Sequence, residues 1–355
     1  MVPVALGLIV RRHLGESAIH VLAALHLINT DFKIMEEKGF IYIPLSRALT
    51  GKETEELHQS IDEFKTISTD FASRLRRPKT LIEALDGKIP PHLLVSLPRS
   101  FDVIGDIAIL EIPSEIQDYS KLIGDALIEI NKGVQTVMAK TSAVGGPFRL
   151  RDLETIAGKG KTETIHRENG CTFLLDVSKV YFSPRLAYEH NRVAKLAKDN
   201  ETVIDMFAGI GPFSILIAKT RKNTVIYAID INPNAIHYIQ ESAGINKVAD
   251  HVIPILGDAN DVINNKLSCM ADRIIMNLPE KASQFLEAAL KALKPSGGII
   301  HFYTFFGGEK TTKAAEDTLK DNIQNLGGKV KSISGKIVKP SAPNESLICI
   351  DAEVH

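Results

Sequence analysis

From about residue 200 onward, apolar strand-like runs alternate regularly with helical segments, and this alternation constrains the fold more than any other feature. Four of the runs are nearly continuous in Val, Ile and other apolar residues: TVIDMFA, TVIYAIDI, HVIPILGD and DRIIMN. Strands of this kind are covered on both faces, as in a parallel sheet flanked by helices. The sequence therefore predicts an α/β fold with a doubly wound, Rossmann-type sheet. The segments KVKSISGKIV and SLICIDAEV are expected to close it as a hairpin.

Polar residues and glycines stand where the first of these strands ends. The strand leads through Asp205 and Phe207 into a turn with Gly209 and Gly211, which permit tight turning and close approach of a ligand. The dinucleotide fingerprint requires a further glycine three residues later, where this chain has Ser214. A nicotinamide cofactor is therefore disfavoured.

The next three strands end in further polar side chains. Asp230 comes nineteen residues after Gly211, a spacing at which an acid bridges ribose hydroxyls in nucleotide-binding sheets. Asp258 follows the third strand, and Asn277 follows the fourth, with Pro279 two residues later. Taken singly, each is better explained as a helix cap or a turn. Together they predict a site for S-adenosylmethionine. Carboxylates suit the adenosine and the positive centre of this cofactor, whereas they would repel a phosphate ligand.

The preceding part of the chain has a different organisation. Residues 1–66 are predicted to form a small domain with strands at 3–10 and GFIYIPL and helices over ESAIHVLAALHLI and KETEELHQSIDEF. Residues 67–89 mix basic residues with Pro and Gly and are predicted to form a linker with one short helix. Residues 90–165 are predicted to form a middle α/β domain, and residues 166–355 the large C-terminal domain.

The cysteines and the hydropathy indicate the compartment. Cys171, Cys269 and Cys349 are far apart and lack metal-ligand spacing, so we expect reduced, buried thiols and no metal site. No apolar run approaches the about 20 residues that span a membrane. The sequence therefore predicts a cytoplasmic protein without a membrane partner.

Charge is distributed unevenly along the chain. The net charge is −1, yet residues 139–200 contain 11 basic and 7 acidic residues, a local net charge of +4. Such a segment suits the phosphates of RNA, although a charged run is more often a solvated face. Its cations include Lys159, Lys161, Arg167, Lys179, Arg185 and Arg192, and a second basic cluster in the linker consists of Arg74, Arg76, Arg77 and Lys79.

Five motifs together resemble those of the archaeal and eukaryotic tRNA (guanine-N1)-methyltransferases, which modify the purine immediately 3′ of the anticodon, at position 37. They are FRLRDLETIAGKGKTETIHRENG, VSKVYFSPRLAYEHNRVA, VIDMFAGIGPFSI, AIDINPNAI and MNLP, in unbroken order between about residues 145 and 280. The resemblance implies a Rossmann-type S-adenosylmethionine-dependent methyltransferase domain with two smaller N-terminal α/β domains. Residues 1–66 resemble, more loosely, the small domain that binds the tRNA elbow in the archaeal proteins, which implies that they recognise tRNA. The resemblance also implies that residues 90–165 contact RNA. We expect a monomer without an obligate protein partner.

The resemblance also implies roles for single residues. Glu189 matches the catalytic base and Arg149 the residue that contacts the guanine. Cofactor contacts fall on His190, Asp230, Ile231, Asp258, Ala259 and Asn277. The family commonly has Asn-Pro-Pro where this chain has Asn277-Leu278-Pro279, so the wall of the pocket is expected to differ.

Each of these roles has an alternative. Glu189 is also explained as an acid near a helix start. Arg149 and Arg151 alternate along an apparent strand and share a face, as substrate or phosphate contacts, and Tyr181 either stacks on the extracted base or packs in the core. For the whole protein the alternatives are aminocarboxypropyl transfer in wyosine synthesis, methylation of a wyosine intermediate, and tRNA binding without catalysis.

Overall fold

The structure is a computed structural model that describes residues 4–74, 78–307, 312–342 and 344–355. Its contacts divide the chain into two compact units, Met1–Lys79 and Thr80–His355. The limits predicted at residues 66 and 165 each fall within a strand, Phe64–Asp70 and Glu163–Glu168. Composition shifts along the chain therefore do not coincide with the ends of the paired elements.

The first unit is a four-stranded antiparallel sheet with two helices. Its elements are β1 (Val4–Arg11), α1 (Gly15–Ala24), β2 (Met35–Glu37), β3 (Phe40–Pro44), α2 (Gly51–Ser60) and β4 (Phe64–Asp70), with strand order β2-β3-β1-β4. Leu8, Ala18 and Leu57 bury β1 and both helices in one apolar core. The helix predicted over KETEELHQSIDEF ends earlier, at Ser60, because Phe64 begins the strand that pairs with β1.

The second unit begins with a smaller α/β layer. Its elements are α3 (Leu81–Leu85), β5 (Asp102–Ile104), β6 (Ile107–Leu110), α4 (Ser120–Ile130), β7 (Thr136–Lys140) and β8 (Leu153–Gly158), followed by a separate hairpin of β9 (Glu163–Glu168) and β10 (Cys171–Asp176). The sheet order is β5-β6-β7-β8, with β6 and β7 parallel and the outer pairs antiparallel. Leu85, Ile123 and Leu127 pack α3 and α4 into the core of this layer. The short helix predicted in the linker is confirmed.

The rest of the second unit is a seven-stranded sheet with helices on both faces. Its helices are α5 (Ala187–Leu196), α6 (Pro212–Thr220), α7 (Pro233–Ile245), α8 (Ala259–Val262), α9 (Leu286–Ala292) and α10 (Thr312–Asn325). Its strands are β11 (Thr202–Asp205), β12 (Val225–Asp230), β13 (Val252–Leu256), β14 (Arg273–Met276), β15 (Gly298–Gly307), β16 (Val330–Ala342) and β17 (Glu345–Val354). Val203 faces the core with α5 to α7, and Ile204 faces the core with α8 to α10.

The strand order of this sheet is β13-β12-β11-β14-β15-β17-β16. Strands β11 to β15 are parallel, and β17 runs antiparallel to both β15 and β16. The Rossmann-type sheet and its closing hairpin are therefore confirmed. Because parallel strands end at one edge, the polar residues that follow β11, β12, β13 and β14 meet there.

The remaining helical turns are short, and one of the thiols is exposed. Turns of 3₁₀-helix lie at Arg12–Leu14, Pro91–Ser96, Ser114–Tyr119, Pro184–Leu186 and Ala282–Phe285, with a π-helical turn at Ile263–Leu267. Cys171 and Cys349 are buried as predicted, but Cys269 is exposed because it lies in a turn with a φ of +59°. Among the described residues, no helix has the length and apolar character needed to cross a membrane.

Candidate active site

A cavity of about 350 Å³ opens at the carboxyl edge of the large sheet. Most of the predicted site residues line it: Arg149, Tyr181, His190, Phe207, Gly209, Asp230, Ile231, Asp258, Ala259, Asn277 and Pro279. These residues come from widely separated parts of the sequence. They meet because the parallel sheet brings the ends of successive strands together.

Carboxylates form one part of the cavity wall. Asp230, the last residue of β12, accepts hydrogen bonds from the backbone N–H groups of Gly209 and Asn232, both at 2.8 Å. Burial raises the pKa of Asp230 above its ordinary value, although these N–H groups oppose the shift. A carboxylate has about four acceptor positions, so Asp230 can still accept from the hydroxyls of a ligand. Asp258, the N-cap of α8, faces the same cavity.

The loop after β11 supplies close backbone and an apolar wall. Gly209 has a φ of +56°, in the left-handed region that side chains disfavour, and a Cβ there would lie 3.5 Å from the carbonyl oxygen of Tyr181. Phe207 and Phe285 pack edge to face with ring centres 4.9 Å apart. An apolar wall beside carboxylates suits a ligand that combines a planar ring with hydroxyl groups. The lining therefore fits the adenosine part of S-adenosylmethionine.

Arg149 reaches the cavity from a turn. Its φ is +55°, and β8 begins only at Leu153, so the prediction that Arg149 and Arg151 alternate along a strand is wrong. The chain reverses here because Gly145 and Leu150 exchange two backbone hydrogen bonds, at 2.8 and 3.1 Å. Arg149 lines the first cavity and a neighbouring one, whereas Arg151 lines the neighbouring one and not the first.

The guanidinium of Arg149 contains a buried donor atom for which the described residues supply no acceptor. Its Nη2 donates to Glu280 Oε1 at 3.2 Å, and its central carbon lies 5.6 Å from the centre of the Tyr181 ring. Its Nη1 is buried and has no hydrogen-bond partner among the described residues. A buried donor without an acceptor is unfavourable. Nη1 therefore marks a place for an acceptor oxygen of a ligand.

The segment Asn277-Leu278-Pro279 follows β14 and lines the cavity beside Glu280. The carbonyl oxygen of Leu278 accepts from the N–H groups of Lys281 at 3.0 Å and Ala282 at 2.8 Å. The chain thus turns away from the sheet immediately after the strand, as the proline predicts. This turn leaves Asn277 at the strand end, facing the cavity.

His190 forms part of the cavity floor from α5. Its Nδ1 lies 2.6 Å from Glu168 Oε1, and its ring meets Phe213 edge to face at 4.6 Å. The carboxylate accepts, so the proton is on Nδ1. Glu168 fixes the orientation of the ring, although β9 is far from α5 in the sequence.

Two residues predicted for the cofactor site lie beneath it. Asp205 is fully buried, and its Oδ2 accepts from the Ser214 hydroxyl at 2.8 Å. Burial raises the pKa of Asp205 to about 7. The Ser214 hydrogen bond opposes this shift, and the nearby charge of Asp230 adds to it. Gly211, with a φ of +79°, is the N-cap of α6. Neither Asp205 nor Gly211 is among the lining residues, so both support the loop from below.

Glu189 does not line the cavity, although its neighbour His190 does. Its carboxylate is 1% exposed and accepts hydrogen bonds from Arg192 Nε at 2.9 Å, Arg192 Nη2 at 2.7 Å and the Tyr303 hydroxyl at 2.8 Å. Lys336 Nζ lies 3.4 Å away. Burial alone would raise the pKa of Glu189, but Arg192, Tyr303 and Lys336 outweigh it and hold the pKa below its usual value. The carboxylate is therefore ionised and turned away from the cavity.

A second cavity of about 410 Å³ adjoins the first, and the residues that line both include Arg149, Tyr181 and Lys339. Lys140, Arg151 and Arg185 also line it. Burial lowers the pKa of both lysines, and the charges of Arg151 on Lys140 and of Arg185 on Lys339 add to the effect. Asp102 and Glu111 also line this cavity and offset part of the positive charge. An anion stabilises cations that disfavour one another, so the cavity suits a phosphate group.

The other predicted cations are mostly paired with carboxylates. Lys161, Lys179 and Arg185 lie 2.6, 3.2 and 2.6 Å from acidic oxygens. Arg192 was predicted to face RNA, but its side chain is turned into the core toward Glu189. In the linker cluster, Arg76 and Arg77 lie outside the described residues.

The lining residues that sequence reasoning missed include Glu280, Phe305 and Lys339. Glu280 directly follows the Asn277-Leu278-Pro279 segment, and this adjacency was the available signal. Phe305 and Lys339 come from β15 and β16. No motif marks them, because only the folding of the closing hairpin brings them to the site.

Comparisons with known proteins identify the family. Residues 164–331 match the TRM5/TYW2 methyltransferase domain, residues 81–162 the TYW2 N-terminal domain, and residues 7–53 the tRNA methyltransferase 5 N-terminal domain. The tRNA (guanine(37)-N(1))-methyltransferase Trm5b of Pyrococcus abyssi is 41% identical over 353 residues, 99% of this chain and 98% of that protein. The chain belongs to the TRM5/TYW2 methyltransferase family.

Two further members of the TRM5/TYW2 family help to place the chain. The solved complex of aTrm5 and tRNALeu has a TM-score of 0.83 at 34% identity and covers 99% of this chain and 100% of that one. The tRNA(Phe) (4-demethylwyosine(37)-C(7)) aminocarboxypropyltransferase of Methanocaldococcus jannaschii is 35% identical, covering 71% of this chain and 97% of that protein. Trm5b of Pyrococcus abyssi and aTrm5 therefore each cover 99% of the chain, whereas this transferase leaves over a quarter of it unmatched.

Proposed function

We propose that this member of the TRM5/TYW2 family transfers a methyl group from S-adenosylmethionine to N1 of the guanine 3′ of the anticodon, position 37, in tRNA. The likeness to Trm5b supports the proposal, because it covers both units of the chain. Within the structure, the buried and unpartnered Nη1 of Arg149 supports it most directly. A cationic donor at that place suits the oxygen of a guanine on which negative charge develops.

The first cavity is proposed to hold the cofactor, which supplies the methyl group when bound. Asp230 would accept from the ribose hydroxyls, while Phe207 and Ile231 would flank the adenine. Asp258 and Ala259 line the same part of the wall, and His190 closes the floor. The carboxylates also suit a cofactor with a positive sulfur centre.

The proposed chemistry divides between two residues. Guanine N1 carries a proton at neutral pH, so methylation there requires a base and leaves transient negative charge on O6. Glu189 would accept the N1 proton, and Arg149 would stabilise O6. Asn277 would hold the guanine edge, and Tyr181, which is 39% exposed, would stack on its face.

A tRNA loop suits the second cavity. A base becomes accessible to an enzyme when it is unstacked or lies in a single-stranded loop. Lys140, Arg151 and Lys339 would contact the phosphates beside the extracted nucleotide.

The proposal is tested by methyl transfer from labelled cofactor to two tRNA transcripts that differ only in G or A after the anticodon. Only the G transcript is expected to accept label, at N1. Labelling of the A transcript at an equal rate would contradict the proposal. Mass analysis of the modified nucleoside distinguishes a methyl from an aminocarboxypropyl group, and parallel assays on tRNA with a wyosine intermediate test the remaining alternative. A tRNA-binding protein without catalysis would transfer nothing to any of these substrates.

Asp230→Ala should weaken cofactor binding by about 1.5 to 3 kcal/mol, the value of a hydrogen bond to a charged group. Titration calorimetry with S-adenosylmethionine measures the change. Asp250→Ala is the matched control, because Asp250 is an exposed aspartate outside the cavity. Equal affinities for the two variants would remove Asp230 from the proposed site.

Deletion of residues 1–79 should leave cofactor binding intact and weaken the binding of full-length tRNA. All four strands of the first unit pair within that unit, so the cut breaks none of their pairings. Cofactor calorimetry and tRNA binding of the shortened and full proteins are compared, with an anticodon stem-loop as the control RNA. We expect the stem-loop to bind both proteins equally. Unchanged affinity for full tRNA would argue against a role of the first unit in recognition.

A further inference from the structure

The ion pair of Glu189 belongs to a larger buried network. The guanidinium of Arg192 contacts Glu189 through Nε and Nη2, and Asp351 through Nη1 at 2.5 Å and Nη2 at 3.1 Å. Asp351 also accepts from Nδ1 of His301 at 2.5 Å. Arg273 donates to Nε2 of the same ring at 2.7 Å, which places the imidazole proton on Nδ1. Arg192 is therefore shared between two carboxylates, and the second is oriented independently of the first.

Strand pairing explains why these groups meet. His301 is paired with Asp351, and Tyr303 with Cys349, in the antiparallel ladder of β15 and β17. Residues two apart on a strand face the same side, so all four side chains point toward α5. A ring nitrogen of His301, the sulfur of Cys349 and a carboxylate oxygen of Asp351 lie within 4.8 Å of one another. Arg192 contacts Asp351 and Cys349 and supplies the positive charge of this group.

Both oxygens of Glu189 are fully engaged in this arrangement. Oε1 accepts from Arg192 Nη2 and the Tyr303 hydroxyl, and Oε2 accepts from Arg192 Nε with Lys336 at 3.4 Å. The charged or titratable groups around it thus come from α5, β15 and β16, with Cys349 on β17 behind Arg192. A carboxylate with all these donors is a poor acceptor for a proton from guanine. The Glu189 carboxylate must therefore lose at least some of these hydrogen bonds and ion pairs before it can act as a base.

We propose that Arg192 and Asp351 are positioning residues that store Glu189 outside the cavity and allow its release for the reaction. The inference rests on the proposed function, in which Glu189 is the base. An unpaired buried charge is strongly unfavourable, so Arg192 needs a counter-ion when Glu189 leaves. Asp351 provides it, and His301 holds Asp351 in place.

Two variants are expected to change the reaction in opposite directions. Tyr303→Phe removes one hydrogen bond from the stored carboxylate without changing charge, so the single-turnover rate should rise by about ten- to a hundredfold, the factor for one hydrogen bond to a charged group. Asp351→Asn leaves Arg192 with Glu189 as its remaining anionic partner, so the rate should fall by about tenfold or more. Both rates are measured at saturating tRNA and cofactor, and the affinities for both ligands should stay unchanged.

A double variant separates this role from a structural one. Arg192→Gln combined with Asp351→Asn removes the guanidinium charge that needs a counter-ion, so it should react faster than Asp351→Asn alone. General loss of packing predicts the reverse, because the double variant loses more contacts. A double variant no faster than Asp351→Asn would overturn the proposal.

The remaining outcomes also decide between the roles. A slower Tyr303→Phe variant would overturn storage, because the hydroxyl would then support the productive position of Glu189. A wild-type rate for Asp351→Asn would overturn the counter-ion role. If Asp351→Asn does not fold, Tyr303→Phe decides alone, since Phe fills the same buried space. A wild-type rate for Glu189→Gln overturns both the base assignment and the storage, whereas a slow Glu189→Gln with a slow Tyr303→Phe overturns the storage alone.

Discussion

Glu189→Gln is expected to lower the single-turnover rate of methyl transfer by about 10²- to 10⁴-fold, because glutamine keeps the size and reach of the side chain but cannot accept the N1 proton. Affinities for cofactor and tRNA should change little, since the carboxylate does not line either cavity. The measurement is rapid quenching with enzyme in excess over labelled tRNA.

Glu280→Gln is the matched control for this prediction. Glu280 is a carboxylate that faces the cavity beside Arg149, and it is much more exposed than Glu189. We expect Glu280→Gln to keep most of the rate. If Glu280→Gln loses the rate and Glu189→Gln retains it, the base is Glu280 and the role assigned to Glu189 is wrong.

The pH dependence follows from the low pKa of Glu189. Arg192 and Tyr303 hold this pKa below its usual value, so the group stays ionised as the pH falls through the neutral range. The rate should therefore show no titration of Glu189 near neutral pH, and protonation should reduce it only in acid. The corresponding acid limb should be absent from Glu189→Gln. A wild-type rate that falls steeply between mildly alkaline and mildly acid pH, with the same fall in Glu189→Gln, would assign the titration to another group.

The fold was predictable because its signal is repeated along the chain. The apolar runs of the central strands β11 and β14 are buried on both faces, whereas Ile253 and Leu256 on the edge strand β13 are exposed. Each of the strands β11 to β14 is followed by a helix or a polar turn. An error at one strand end therefore leaves the others in place. Asp230, Asp258 and Asn277 were predicted at this edge for that reason, since each lies at the end of a strand or within two residues of it, and the alternation fixes the direction of those strands.

The features that local sequence patterns do not show depend on contacts between distant segments. Arg149 follows a Gly-Gly-Pro segment, and its turn is closed by the Gly145–Leu150 pairing that periodicity does not show. The burial of Glu189 depends on Tyr303 and Lys336, which arrive from β15 and β16. A local reading of α5 predicts the acid near the helix start but not the groups that surround it.

Arg149→Gln is expected to reduce the single-turnover rate by about 10²- to 10³-fold, the usual effect of removing one donor that stabilises developing negative charge. Arg149→Lys should be slowed less, because it keeps the positive charge but loses the planar fork. All three side chains carry a Cβ, so the left-handed backbone of this turn, with a φ of +55°, is no harder for the variants than for arginine. The differences in rate therefore report on the guanidinium and not on the turn.

Arg151→Gln provides the control two residues further along the chain, because Arg151 lines the second cavity and not the first, whereas Arg149 lines both. It should weaken tRNA binding and reduce its dependence on salt, as expected for a phosphate contact, while the rate at saturating tRNA stays close to that of the wild type. Arg149→Gln should show the opposite combination, with a small change in tRNA affinity and a large change in rate. If Arg149→Gln instead behaves as Arg151→Gln does, the buried Nη1 contacts a phosphate, and the stabilisation of O6 must come from another donor in the cavity.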